Sequence, residues 1–230
     1  MKEEFNCGTQ LNGKSPIAVR VLSQKEYDVS YWSGGKTSQI MIWPPESEFK
    51  KHEFLWRISL ATMEAADSPF TKFDGFHRIL HLLDGESRLS FADGRNYVLY
   101  PGDEVRFYGT DEIKSSGKAG DLNLIMADGV WGEMRNLHSD IQDWTWFRSI
   151  PLGGRNGRWC CILYLLSGKI ETENAIAGKG DCVVIYPESL QDGMLDQYAE
   201  KTFKTGNDGL QLIECMVYWR EETNERDAEE

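Results

Sequence analysis

A seven-residue frame occurs twice in this chain. ILHLLDG at 79–85 and ILYLLSG at 162–168 share five of seven residues, in the order I-L-x-L-L-x-G. Each copy is followed by a second signal, YPGDEVRF at 100–107 and GKGDCVVI at 178–185, in which Gly-Asp introduces alternating apolar residues. The distance between the two glycines is seventeen residues in the first copy (85 to 102) and twelve in the second (168 to 180), which fits a longer hairpin in the first. Two signals in the same order argue for two related β-units in one chain. The residue types suit the purpose. Glycine reaches the positive-φ conformations of a tight turn, and aspartate bonds nearby backbone N–H groups and fixes it.

The rest of the chain has an all-β rhythm: short runs of Val, Ile, Tyr, Phe and Trp between clusters of Gly, Pro, Asp and Asn. Strands are expected at Ile17–Leu22, Thr37–Trp43, Phe54–Met63, His77–Leu83, Ser87–Phe91, Tyr97–Tyr100 and Val105–Tyr108, and again at Asp121–Met126, Asp143–Ile150, Trp159–Leu166, Cys182–Tyr186 and Leu210–Trp219. ADGRN at 92–96 reads as a hairpin turn. QDGMLDQYAEK at 191–201 is the one candidate for a short helix, and the charged REETNERDAEE at the end reads as a frayed tail. The expected units are 1–130, which includes the N-terminal strands, and 131–220, followed by an acidic tail at 221–230.

The 230 residues are 40% hydrophobic, enough for a sizeable core, and carry a formal charge of -12. Such a charge is repelled by phosphate backbones and anionic membranes, which argues against nucleic acid or lipid as a partner. MKEEFNCGTQLNGK at the start lacks the apolar stretch of a signal peptide, and no apolar run approaches a membrane span. The five cysteines, at 7, 160, 161, 182 and 215, form no CxxC pair, and their number is odd. That pattern fits a reduced, cytoplasmic chain, with Cys161, Cys182 and Cys215 as small buried hydrophobes.

A strand, a glycine turn and a second strand opened by Gly-Asp resemble the core of a cupin barrel, the double-stranded β-helix of RmlC-like jelly rolls. Two copies resemble a bicupin. Many cupins bind a metal through three histidines and a glutamate, the first motif being G-x5-H-x-H-x3,4-E-x6-G. Anchored on Gly85, its glutamate position falls on Arg78, and its histidine positions fall on Lys72 and Asp74, or on Thr71 and Phe73. In the second repeat Gly168 places the glutamate position on Cys161. Neither unit carries the metal ligands, so no cofactor is expected. His77 and His81 do not replace them. Four residues apart on a strand they stand about 13 Å apart, whereas zinc holds its ligands at about 2 Å.

Arg78 is the more informative residue. At an inward-facing position a guanidinium needs carboxylate or phosphate partners, because an unpaired buried charge is very costly. It would repel a divalent cation and attract an anion. Alternation in FLWRISLATM (54–63) puts Phe54, Trp56, Ile58 and Leu60 on one face and Arg57 and Ser59 on the other. DLNLIM (121–126) likewise sets Asp121 and Asn123 against Leu122 and Leu124. Arg57, Arg78, Asp121 and Asn123 either form one closed structural network or line a pocket for an acidic small molecule. SGGKTS (33–38) resembles the end of a P-loop, but the required earlier glycine is Ser30, so a Gly-Gly turn into a strand is the better account.

YWSGGKTSQI, FLWRISLATMEAADSPFTKFDGFHRILHLLDG and GDLNLIMADG together closely resemble the HutD/Ves family. Its pattern runs W-x-x-G-G-x-T, F-x-W-R-I-S-x-A, G-P-F-S-x-F-x-G-x-x-R, L-x-G and D-x-N-x-M. The match covers about residues 30–130 well. Departures are Ser68-Pro69-Phe70-Thr71 for Gly-Pro-Phe-Ser, and Gln39 where an acid is common. The resemblance implies a bicupin without a catalytic metal. Family members are linked to histidine utilisation, where one is thought to bind an intermediate such as formylglutamate and restrain the pathway. The expected function is therefore non-enzymatic binding of a small acidic metabolite, with Trp56, Arg57, Ser59, Arg78, Asp121 and Asn123 as candidate ligand-binding residues. Trp56 is expected to pack in the core rather than touch ligand, and a homodimer is allowed. The alternatives are a metal-free isomerase or epimerase using His77 or His81 as general base, and a protein-interaction module with no ligand.

Overall fold

The Gly-Asp turns show what the repeat is for. In a computed structural model, which describes residues 17–64, 67–150, 157–187 and 198–220, Leu82 and Leu165 stand at the same place in the two frames. Leu82 N–H donates to the Asp103 carbonyl and its own carbonyl accepts from Gly102 N–H, both at 2.9 Å; Leu165 makes the same pair with Asp181 and Gly180 at 3.0 and 2.9 Å. Asp103 Oδ2 accepts from the Tyr100 N–H at 2.8 Å, and Asp181 Oδ2 from the Gly178 N–H at 2.9 Å. Gly85 and Gly168 lie at φ 76° and 78°, where a Cβ would stand 2.1 Å from the Lys118 carbonyl oxygen and 2.4 Å from that of Gly209. A β-bulge follows in both copies, skipping Leu83 in one and Leu166 in the other.

The strands are β1 (Ile17–Leu22), β2 (Asp28–Trp32), β3 (Gly35–Trp43), β4 (Trp56–Met63), β5 (Asp67–Pro69), β6 (Phe76–Gly85), β7 (Ser87–Phe91), β8 (Asn96–Leu99), β9 (Glu104–Tyr108), β10 (Ile113–Ser116) and β11 (Ala119–Ala127). They continue with β12 (Trp131–Ser139), β13 (Asp143–Ser149), β14 (Gly157–Ser167), β15 (Ile170–Glu171), β16 (Ile176–Ala177), β17 (Cys182–Pro187), β18 (Tyr198–Thr205) and β19 (Leu210–Arg220). Two short 3-10 turns occupy Gln24–Glu26 and Phe49–Lys51. Among the described residues, no helix is long and apolar enough to cross a membrane.

Four antiparallel sheets stack into two barrels. A six-stranded sheet, β2-β3-β4-β11-β6-β9, faces the four-stranded sheet β5-β10-β7-β8, with Leu80, Leu82, Leu89, Phe91 and Ile113 packed between them. A five-stranded sheet, β1-β17-β14-β19-β12, faces β13-β18-β15-β16 over Trp146, Leu163, Leu165, Val183 and Phe203. The six- and five-stranded sheets meet back to back across a seam of Ile58, Leu122, Leu124, Ile162, Ile213 and Val217. β11, β14 and β19 are therefore buried on both faces, which is why they read as nearly continuous apolar runs rather than strict alternation. This is the cupin double-stranded β-helix.

The expected hairpin at 92–96 joins β7 to β8, with Ser90 opposite Asn96, and SGGKTS forms the turn into β3. Cys160, Cys161, Cys182 and Cys215 are buried free thiols. The helix expected over 191–201 needs correction where it is described: Tyr198–Thr205 is strand β18, paired with β13. Ala199 and Phe203 insert into the second barrel there, so packing overrides the helix-forming composition. Residues 191–197 and the tail at 221–230 lie outside the described residues. β2, β5, β10, β12, β15, β16 and β18 are strands that alternation did not reveal.

Candidate functional site

β4 sends Trp56 and Ile58 into the seam and Arg57 and Ser59 into the first barrel. β11 presents Asp121, Asn123 and Ile125 to that interior, and β6 presents Arg78, Leu80 and Leu82. Register brings them level. Ser59 and Leu80 flank Asn123, while Arg57 and Arg78 flank Ile125. Four of the expected site residues are buried here: Arg57 at 5%, Ser59 at 2%, Arg78 at 7% and Asn123 at 5% exposure. Asp121 is half-buried with a sealed Oδ1. Trp56 stands apart. It packs on Trp219 across the seam, with ring centroids 5.7 Å apart.

The two guanidinium groups are held differently. Arg57 Nε donates to Gln39 Oε1 at 2.7 Å and Nη1 to Ser59 Oγ at 3.1 Å, and the group lies 4.1 Å from the centre of the Phe49 ring. Arg78 donates to Asn123 Oδ1 at 3.5 Å and to the Thr71 carbonyl at 3.4 Å. Both are longer than the about 2.7–3.2 Å of an ordinary N–H···O bond. Its guanidinium is otherwise enclosed by the Phe70, Phe107 and Phe73 rings, 4.8, 5.2 and 5.9 Å away. Among the described residues, neither arginine has a carboxylate within ion-pair distance.

Electrostatics follow from this enclosure. Burial lowers both guanidinium groups to about 10; Asp121 opposes the shift at Arg78, where Arg57 adds to it, and Asp28 opposes it at Arg57. Burial raises the Asp121 carboxyl to about 7, with Asp84 adding to the shift and Arg78 opposing it. Among the described residues, Asp121 Oδ1 has no hydrogen-bond partner. The interior thus holds two cations, a carboxyl near neutrality, an amide and a hydroxyl. That set can receive an anion with further polar groups.

Residues 24–201 match the profile of the HutD family. The chain belongs to the HutD family. Among solved structures, HutD from Pseudomonas fluorescens SBW25 is similar at 18% identity, covering 89% of this chain and all of that one, with a TM-score of 0.60. A conserved protein of unknown function from Pseudomonas aeruginosa PAO1 matches at 20% identity, with coverage of 88% and 99% and a TM-score of 0.63. A bacterial pirin from Escherichia coli, in complex with nickel(II), matches at 9% identity over 88% and 99%, with a TM-score of 0.56. At these identities the likeness is one of fold.

In this HutD-family chain, His77 and His81 leave β6 on the face opposite Arg78. His77 Nε2 meets Asp128 Oδ1 at 3.1 Å, and His81 Nε2 meets Asn136 Oδ1 at 3.1 Å. Burial pulls the His81 imidazole below its usual value. Among the described residues, no three His, Cys, Asp or Glu side chains gather as a metal site.

The second barrel closes what the first leaves open. Leu80 and Leu163 share a place in the repeat; Asn123 pairs with the former and Glu214 with the latter. Glu214, 1% exposed, accepts from Trp146 Nε1 at 2.6 Å and Arg148 Nε at 2.7 Å. Sequence reasoning missed this pair, and it missed Phe49 and the aromatic enclosure of Arg78. Gln39 and Thr71 enter the sequence reading as departures from the family pattern, and Thr71 also as one alternative histidine position of the metal motif.

Proposed function

We propose that this chain is a non-enzymatic, small-molecule-binding bicupin whose first barrel takes an acidic metabolite such as formylglutamate. Its role is regulation of amino-acid catabolism, with histidine breakdown the first pathway to test. The observation that carries this reading is the pair of buried arginines that, among the described residues, have no carboxylate partner. An unpaired buried cation is costly to keep, so a structural network would be expected to supply an acid, as Glu214 does for Arg148. A ligand carboxylate supplies the same compensation from outside.

In this reading Arg78 and Arg57 hold the carboxylate groups, Ser59 and Asn123 set orientation, and Asp121 offers its carboxyl to a polar group of the ligand. Trp56 supports β4 from behind. His77 and Arg78 both border one cavity of about 320 Å³, but the His77 and His81 side chains leave β6 on the face opposite the Arg78 guanidinium, which disfavours a general-base role beside it. The buried free thiols agree with a cytoplasmic, reducing setting.

Thermal-shift screening against histidine, urocanate, formylglutamate, glutamate and a panel of sugars tests the proposal. Binding to the folded state raises Tm by mass action, by about 2.7 kcal/mol of stability at a hundredfold excess over Kd. An acid that raises Tm in the natural chain but not in Arg78→Ala is the expected outcome. A screen in which no acid raises Tm, or a sugar alone does, overturns it.

A further inference from the structure

We propose that the seam between the two barrels is a second ligand site, for a flat, largely apolar molecule carrying a carbonyl or carboxylate oxygen. This site does not depend on the first-barrel reading, although Gln39, which accepts from Arg57, also lies in its wall. A cavity of about 620 Å³ opens where the six- and five-stranded sheets meet, lined by Met41, Ile42, Trp43, Trp56, Trp159 and Trp219. Interiors of folded domains leave few voids larger than a water molecule, whereas ligand pockets run to about 300–1,000 Å³ and favour such seams and aromatic walls.

The hydrogen bonds of the tryptophans point to the ligand's chemistry. Buried indole N–H groups usually find an acceptor. Trp146, 1% exposed, follows that rule and donates to Glu214 at 2.6 Å. Among the described residues, Trp56 and Trp219, 1% and 7% exposed, are left with no partner for an Nε1 that is itself sealed from solvent. They belong to the same cavity wall, and Trp219 contacts both Trp56 and Trp43, with centroids 5.7 and 5.6 Å apart. Two donors without acceptors among the described residues, on a wall of rings tilted by 49° and 54° against one another, suit a planar molecule that brings its own acceptor oxygen. The charged lining residues are Arg20, Arg158, Glu26 and Asp28. They balance in sign, so recognition rests on the rings and the acceptor rather than on net charge.

The test uses 2-naphthoate as probe and the full chain labelled with nitrogen-15, following the indole N–H resonances of the eight tryptophans. Trp56→Phe and Trp219→Phe keep an aromatic ring, delete one donor each and assign the two signals. The expected result is a saturable downfield movement of both resonances in the natural chain. Affinity should fall about fivefold in either variant, the loss of one hydrogen bond, and stay unchanged in Arg78→Ala. Should a variant fail to fold, the natural-chain titration, assigned through side-chain correlations, decides alone. No saturable movement, an affinity in both Phe variants equal to that of the natural chain, or binding lost in Arg78→Ala overturns the proposal.

Discussion

Arg57 and Arg78 are both paired with Ile125, one from each side of β11. Two strand spacings separate their backbones, about 10 Å, so two guanidinium groups enter one barrel interior at the same level. Like charges at this range repel, and burial weakens their solvation. Burial lowers both toward about 10, with Arg57 adding to the effect at Arg78. Such an arrangement costs stability unless an anion completes it.

The first prediction separates ligand binding from a structural role. Arg78→Met replaces a buried cation that has no carboxylate partner among the described residues by an apolar chain of similar length. Without ligand this should stabilise the protein by about 1–4 kcal/mol, as replacement of buried charges by well-packed apolar residues often does. Chemical denaturation measures it. A destabilised Arg78→Met variant would make the arginine part of a closed structural network.

Glu214 gives the opposite expectation. Its removal leaves Arg148 and the Trp146 N–H without their acceptor in the second barrel. Glu214→Ala should cost about 3–5 kcal/mol, the range for breaking a buried pair from one side. A loss under 1 kcal/mol would show that the pair contributes little.

The pH dependence of stability follows from Asp121. Its carboxyl titrates near 3.8 when unfolded and near 7 in the barrel. Between those values the folded chain holds a proton that the unfolded chain has released, so this group's contribution falls as pH rises through that window. Asp121→Asn has no such proton to lose. The difference in Tm between the natural chain and Asp121→Asn should therefore move in favour of the variant from pH 5 to pH 8. A difference that stays flat would place the Asp121 carboxyl in its ordinary range.

The Gly-Asp turns make a quantitative pair. Asp103 accepts one backbone N–H, from Tyr100, whereas Asp181 accepts two, from Gly178 and Gln24, each at 2.9 Å. At about 1 kcal/mol per net hydrogen bond, Asp181→Ala should cost roughly twice what Asp103→Ala costs. Urea unfolding of the two variants checks the ratio.

Much of this fold is legible in the chain because its central strands carry strong local signals. The repeat marked the two Gly-Asp turns, and alternation in 54–63 and 121–126 sorted Arg57, Ser59, Asp121 and Asn123 onto one side. The strands that escaped detection are mostly edge or half-exposed ones. β2 is exposed along its length, and β12 alternates over its first five residues and then changes phase. β18 carries Glu and Lys, which favour helix until Ala199 and Phe203 find the second barrel. The pairing of β1 with β17 joins residues about 165 apart in sequence and has no local signature. The aromatic enclosure of Arg78 has no periodic signature either: Phe70 and Phe73 lie in the connection before β6 and meet Phe107 of β9 only in the folded barrel.

The most direct measurement is calorimetric titration of formylglutamate into the natural chain, Arg57→Ala and Arg78→Ala, side by side at one salt concentration. The account predicts saturable one-site binding in the natural chain and at least tenfold weaker binding in each variant. An unchanged isotherm in Arg78→Ala, or no heat of binding in the natural chain, would contradict it.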